Sequence, residues 1–376
     1  YTNMKKIFFL STLCLLAILS SCRDDDNQIN GSNNSNVTDG TSDGIKGFYL
    51  LNEGQMGANN STLDYFDATS GIYSSNIYPE RNPTVIKELG DTGNDLKIYK
   101  DRLYAVMNGS HKVEIMTADS AKHIADVDIP NGRFICFDGD YAYVSSYVGA
   151  SWGNGEVLGA VYKFDTKTTT IVDSVYVGYQ PEEMAIVNRK LYVANSGGLH
   201  AGYDNTVSVI DLNDFTVTGN ITVDINLFRL RSDNKGHLYV SSRGNYVDIP
   251  ANLYVIDTEN DVVSDTLNIA VTDLCIVGDT AYTYASEYSY ETNSYAYSYH
   301  TIDLNTREIA EARFITDETT LTSLYGIAVD PDTKEVYLTD AGDYSNSGTI
   351  YCFNPDGTLK WKADTGVSPA HFAWQY

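Results

Sequence analysis

The sequence predicts an all-β fold, a seven-bladed β-propeller whose ring is closed by the C-terminal strand pairing into the first blade. Three observations predict it. One strand pattern recurs seven times, with second-strand tyrosines at Tyr49, Tyr104, Tyr143, Tyr192, Tyr239, Tyr282 and Tyr337. Their mean spacing of about 48 residues matches the ~40–50 residues of one four-stranded blade. Past the first twenty-odd residues, no long segment carries the 3.6-residue apolar period of a helix. The two ends are also complementary: the first copy opens at Phe48 on the second-strand pattern, and Pro369–Tyr376 supplies the inner-strand pattern it lacks.

The clearest repeat shows how each element is read. Met184-Ala185-Ile186-Val187 is the inner strand, Asn188-Arg189-Lys190 the tight turn, and Leu191-Tyr192-Val193-Ala194-Asn195 the second strand. After a polar loop, Thr206-Val207-Ser208-Val209-Ile210-Asp211 alternates with the two-residue period of a third strand. Third strands elsewhere close on Tyr65-Phe66-Asp67, Phe164-Asp165, Ile256-Asp257 and Ile302-Asp303, while the second copy departs with Ile115-Met116-Thr117. Four short strands cannot bury both faces of their sheet alone, but radial stacking does so and leaves only short edges. An open solenoid is the competing architecture. The match of Pro369-Ala370-His371 to Pro181-Glu182-Glu183 favours closure.

Upstream, Met4 is the expected start, followed by Lys5, Lys6 and an apolar run from Ile7 to Leu19. That run is short for a membrane span and has the layout of an export signal. Leu19-Ser20-Ser21-Cys22 resembles a bacterial lipobox, which implies a lipid on the Cys22 thiol. Arg23-Asp24-Asp25-Asp26 is either a solvated charge run or, by resemblance, the surface-export signal of Bacteroidetes lipoproteins. The expected organisation is a leader over 1–21, a lipidated cysteine and flexible acidic, Asn-Ser-Gly tether over 22–46, and one propeller over 47–376. The expected location is the outer membrane, on the cell surface, with membrane contact only through the anchor at Cys22.

Charge and chemistry narrow the function. With 50 acidic against 25 basic residues and no basic patch, nucleic acid and anionic membrane surfaces are poor partners. Cys136, Cys275 and Cys352 are single and flanked by apolar residues, so they read as buried free thiols. No His-Glu-x-x-His run, nucleophile elbow or phosphate-cradling loop is present, so no catalytic residue and no enzymatic activity are expected. No cofactor is expected, with Ca²⁺ at mouth carboxylates left open. The second-to-third-strand loops set aromatic rings among Gly, Ser and Asn, a mixture suited to adaptable recognition. The expected ligand-binding residues are Tyr147, Trp152, Tyr203, Asp204, Tyr246, Tyr288, Tyr290 and Tyr344 in those loops, with Arg133 and His371 at the channel mouth. Inner-strand entries at Asp95, Glu182, Glu183, Arg229, Asp273 and Tyr325 line the same channel.

The repeats resemble the YVTN-type propellers over the whole mature chain, as in Leu191-Tyr192-Val193-Ala194-Asn195 with Val207-Ser208-Val209-Ile210-Asp211. That motif speaks to fold and hardly to ligand. The stretch Gly357-Thr358-Leu359-Lys360-Trp361 is similar to a quinoprotein repeat but occurs once. Gly47-Phe48-Tyr49-Leu50-Leu51-Asn52-Glu53-Gly54, behind a Bacteroidetes-style leader, resembles the surface propellers of gut Bacteroides, and within them the BtuG-type lipoproteins. That resemblance implies capture of vitamin B12 or another corrinoid and its delivery to a BtuB-like TonB-dependent outer-membrane transporter. A glycan-binding propeller and a propeller hydrolase or lyase remain as alternatives.

Overall fold

The protein is described from a computed structural model over residues 33–38, 44–85, 88–149, 156–289 and 294–376. Its strands form seven antiparallel sheets arranged as the blades of a propeller. Cys22, the expected site of lipid attachment, lies outside the described residues. No helix among the described residues is long and apolar enough to cross a membrane.

Blade 4 is the simplest case. Pro181–Val187, Lys190–Asn195, Thr206–Asp211 and Thr216–Thr222 run from the channel to the rim in sequence order. Blades 2, 3, 5, 6 and 7 repeat this order, with inner strands Gly93–Tyr99, Gly132–Asp138, Leu227–Ser232, Asp273–Val277 and Leu324–Val329. Each inner strand packs beside the next around the channel, and Leu324–Val329 meets Pro369–Gln375, which meets Gly93–Tyr99.

The repeated tyrosines explain the period. Six of the seven (Tyr49, Tyr104, Tyr143, Tyr192, Tyr239 and Tyr337) are buried between sheets, and Tyr282 is partly exposed. A buried phenol needs an acceptor for its hydroxyl. Tyr49 donates to the Ala118 carbonyl of blade 2 at 3.1 Å, and Tyr192 to Asp261 of blade 5 at 2.6 Å. The ring thus fills an apolar interface while its tip ties one blade to the next. Cys136, Cys275 and Cys352 are free, and burial pushes all three thiols well up, that of Cys275 to about 12.

Closure follows the expected pairing. Pro369–Gln375 runs antiparallel to Gly47–Asn52, with Gly47 opposite Gln375 and Asn52 opposite Pro369. Phe48 anchors the seam, with ring centroids 5.3 Å from Phe66, 5.1 Å from Tyr337, 5.4 Å from Phe372 and 5.3 Å from Trp374. Two local features depart from the sequence reading. Within the expected tether, Asn33–Asn36 pairs with Ile72–Ser75 as a fifth, outermost strand of blade 1. An edge strand needs only backbone groups to pair, so its wholly polar composition gave no apolar signal. A five-residue helix, Ile77–Arg81, links blades 1 and 2 and buries Ile77 and Tyr78.

Two outcomes test this seam. Phe48→Ala removes a fully buried ring from four aromatic neighbours and is expected to cost about 3–5 kcal/mol in urea unfolding. Asp64 is buried in the same blade, where its carboxylate accepts from the Tyr73 hydroxyl and the Asn76 amide, both at 2.8 Å. Burial outweighs those bonds and raises its pKa from 3.8 to about 6. The native state therefore holds this proton where the unfolded chain has released it. That contribution is complete below about pH 4 and is lost as pH rises through 6. Comparing melting temperatures of wild type and Asp64→Asn from pH 4 to 7 should show this falling slope in wild type alone, and parallel curves refute the shift.

Candidate functional site

In a blade whose strands run outward in order, the start of the inner strand and the second-to-third loop share one end. At that end lies a concave pocket of about 780 Å³ over the channel mouth. Its floor comes from inner-strand starts: Asn94 in blade 2, Arg133 and Phe134 in blade 3, Phe228 and Arg229 in blade 5, Tyr325 in blade 7, and His371 in the closing strand. Its walls come from the loops of blades 5, 6 and 7.

The floor is a set of desolvated, paired charges. Glu182 is buried, and its Oε2 accepts from Arg133 Nε at 3.0 Å and Nη2 at 2.9 Å. Its Oε1 accepts the Tyr147 hydroxyl at 2.5 Å. Burial holds the Tyr147 phenol protonated far above its ordinary range, and the Arg133 guanidinium lies 4.9 Å over that ring. Glu53 is held from two sides, by His371 Nε2 at 2.8 Å and the Tyr325 hydroxyl at 2.5 Å. Deeper in the channel, Arg229 pairs with Asp273 at 2.9 Å and Arg231 with Glu183 at 3.1 Å. Burial works to raise the pKa of Asp95, but Lys97 and His371 hold it below the ordinary value.

The walls are different. Tyr246 is 70 % exposed and Val247 88 %, and Tyr288, Tyr295 and Tyr344 are each more than 40 % exposed. Their loops are built locally. The Asn245 side-chain oxygen accepts the amides of Val247, Asp248 and Ile249 at 2.8–3.0 Å, an Asx arrangement that presents Tyr246 outward. Gly244 sits at φ +61, and a Cβ there would meet the Ile249 carbonyl at 2.0 Å. In blade 6 the second and third strands, Thr280–Ser289 and Ser294–Asp303, are ten residues each. The long hairpin carries Tyr288 and Tyr295, with centroids 5.2 Å apart. Exposed rings gathered on one concavity are the signature of a recognition surface.

The structure brings together five of the expected residues: Tyr246, Tyr288, Tyr344, Arg133 and His371 all line this pocket. Tyr147 lies beneath it, against Arg133 and Glu182. Tyr203 and Asp204 do not line it. Asp204 instead braces its loop locally and against blade 3, accepting the Thr206 amide at 3.0 Å, the Thr206 hydroxyl at 2.7 Å and the Tyr179 amide at 2.8 Å. Trp152 and Tyr290 lie outside the described residues. Of the inner-strand entries, Arg229 and Tyr325 reach the mouth, while Asp95 and Asp273 line cavities reached from the other end of the channel. Sequence reasoning missed Phe134, Phe228, Tyr284 and Arg243. The phenylalanines carry a signal in hindsight, since each neighbours an arginine at an inner-strand start. Register shifts in both blades, between Val144 and Ser146 and between Leu227 and Leu230, break the simple alternation there.

One cluster among the described residues has metal-ligand spacing: Glu114, His123 and Asp126, on the outer half of blade 2 and away from the mouth. The Lys112 ammonium sits between its carboxylates, 2.7 Å from Glu114 and 3.2 Å from Asp126, and already occupies both as a counter-charge.

Floor and wall should separate in mutants. Glu182→Ala leaves the part-buried Arg133 without its carboxylate and the Tyr147 hydroxyl without its acceptor, and is expected to cost about 3 kcal/mol of stability. Tyr246→Ala removes an exposed ring and should change stability by less than about 0.5 kcal/mol. Urea unfolding of both variants checks the contrast.

Comparison with known proteins adds family and fold. The family model described as domain of unknown function DUF5074 matches residues 46–365. No curated protein matches the chain by sequence. Among solved structures, the chain is similar to hydrazine synthase of Kuenenia stuttgartiensis, at 16% identity and TM-score 0.58 over 70% of this chain and 77% of that one. It is also similar to a quinonprotein alcohol dehydrogenase-like protein of Bacteroides thetaiotaomicron, at 14% identity and TM-score 0.59 over 87% and 78%. A third is the Pan2 WD40 domain of Neurospora crassa, at 12% identity and TM-score 0.51 over 74% and 79%. At such identities the likeness is one of fold alone.

Proposed function

We propose, taking as premise that this chain belongs to the DUF5074 family, a domain of unknown function, that it is a binding protein capturing vitamin B12 or a related corrinoid in the channel-mouth pocket. One observation carries the reading: an open pocket of about 780 Å³ whose exposed tyrosine walls stand over a polar floor. A corrinoid is broad, apolar at its macrocycle edges and rimmed with amides. Tyr246, Tyr288, Tyr295 and Tyr344 offer ring faces for the first feature, and Asp248 and Glu287 offer acceptors for the amides of the second. A ligand larger than the pocket stands proud of it and leaves one side for a second protein.

The rest of the proposal extends from the leader. Lipid at Cys22 holds the propeller on the outer face of the outer membrane, and a BtuB-like TonB-dependent transporter takes the ligand from it. Catalysis forms no part of this reading. The carboxylates at the floor, Glu182 beneath it and Glu53 on it, are each engaged by a cation or a phenol, so neither stands ready as a general base. A glycan is the second reading, because exposed tyrosine faces stack on sugar rings as readily as on a corrin edge.

Titration calorimetry with cyanocobalamin and with a panel of neutral oligosaccharides decides between them. Cyanocobalamin should bind, and joint Tyr246→Ala and Tyr288→Ala substitution should weaken it at least about tenfold. A sugar that binds while cyanocobalamin does not moves the assignment to glycans, and binding of neither ends both readings.

A further inference from the structure

The pocket floor contains a run of alternating rings and guanidinium groups. Arg133 lies 4.9 Å from the Tyr147 ring and 5.9 Å from Phe134. Arg229 lies 5.5 Å from Phe134 and 4.6 Å from Phe228. Arg243 closes the run, 4.4 Å from Phe228. Each cation gains from a ring face, and a guanidinium over a ring can still donate from its N–H groups.

The charges along this run do not balance at its end. Arg229 has Asp273, and Arg231 has Glu183. Arg133 and Arg243, by contrast, share one contacting carboxylate, Glu182, with Glu53 acting on Arg133 from farther off. Arg133 takes the Glu182 Oε2 at close range, while Arg243 Nη2 stands 3.7 Å from Oε1. That oxygen already accepts the hydroxyls of Tyr147 and Ser196. The close partner of Arg243 is a neutral amide oxygen, Asn226 Oδ1, reached from Nε at 3.1 Å and Nη2 at 2.8 Å. Its Nη1 meets no acceptor among the described residues. The side chain is 28% exposed and lines the pocket. An under-neutralised guanidinium, held over a ring at the edge of a cavity, is a docking point for an oxyanion.

We infer that the ligand of this pocket carries an anionic oxygen group, a phosphate ester or a carboxylate, and that Arg243 on its Phe228 platform binds it. The inference rests on the reading of the pocket as the binding site and names the ligand's charge. In a chain of net charge −25, an anionic ligand is repelled at long range, and a local cation is what makes a defined approach favourable. A corrinoid with its nucleotide loop supplies a phosphodiester, and an acidic sugar supplies a carboxylate.

The test measures a ratio. Dissociation constants for cyanocobalamin, which has the phosphodiester, and dicyanocobinamide, which lacks it, are compared in wild type, Arg243→Gln and Arg243→Lys, with melting temperatures confirming that each is folded. In Arg243→Gln the preference for cyanocobalamin should fall by about tenfold or more, and Arg243→Lys should recover part of it. An unchanged preference in Arg243→Gln overturns the inference and leaves corrinoid capture standing. If wild type binds neither corrinoid, corrinoid capture fails, and a uronate-bearing oligosaccharide paired with its neutral counterpart goes through the same variants. Loss of the preference for the acidic sugar in Arg243→Gln supports the inference. An unchanged preference, or no binding of either sugar, overturns it.

Discussion

The backbone pairing of Pro369–Gln375 with Gly47–Asn52 is the interaction on which the rest of the molecule depends. Each sheet buries both faces only against its neighbours, so an unclosed stack would expose two apolar faces as large as any interior interface. Closure also builds the site. Glu53 comes from the first repeat and His371 from the last, and they meet at 2.8 Å on the pocket floor only because the strands carrying them, or leading to them, are paired. Tyr325 of blade 7 completes the contact at 2.5 Å. The seam of the ring is therefore part of the pocket as well as the lock of the fold.

The same dual use extends to the buried charges. Arg133 of blade 3 pairs with Glu182 of blade 4, Arg231 of blade 5 with Glu183 of blade 4, and Arg229 of blade 5 with Asp273 of blade 6. Asp95 of blade 2 accepts the Ile135 amide of blade 3, and Glu183 accepts the Leu230 amide of blade 5. Each of these bonds crosses from one blade to its neighbour. Buried ion pairs add little net stability over apolar packing, because desolvation offsets attraction, but a broken pair is costly. Their contribution here is register: seven near-identical sheets stack in one order, and wrong neighbours leave charges unpaired. A pocket floor made of these pairs is rigid before any ligand arrives, which lowers the ordering cost of binding.

The fold was legible because repetition multiplies a weak signal: one tyrosine among alternating residues means little, and seven at a steady spacing mean a ring. The mouth was partly legible. Arg133 and His371 could be placed because inner-strand starts must face the channel, and Tyr246, Tyr288 and Tyr344 because their loops end there. Tyr203 and Asp204 came from a loop of the same composition, yet Asp204 is spent on the Thr206 amide of its own hairpin and the Tyr179 amide of blade 3. Composition does not tell a loop that braces itself from one that offers its groups to a ligand. Phe134 and Phe228 were hidden by register shifts, since the two-residue period assigns faces only where pairing is regular. Asn33–Asn36 was hidden because an outermost strand is held by backbone groups that every residue possesses.

The pocket is also lopsided, and the lopsidedness has a physical consequence. The exposed wall rings belong to blades 5, 6 and 7, where the blade 6 hairpin runs to ten residues per strand against six in each of the second and third strands of blade 5. Asp248 and Glu287 stand on that side, while Arg133, Arg229 and Arg243 stand along the ring-and-guanidinium run of blades 3 and 5. A ligand lying across such a cavity meets flat apolar contact together with carboxylate acceptors and guanidinium donors. Apolar contact alone permits several poses of similar energy. Opposed polar groups make all but one of them leave a desolvated charge or amide unmatched, at a cost of kilocalories. The seven-fold ring supplies a symmetric frame, and it is the unequal elaboration of its loops that gives the mouth a direction.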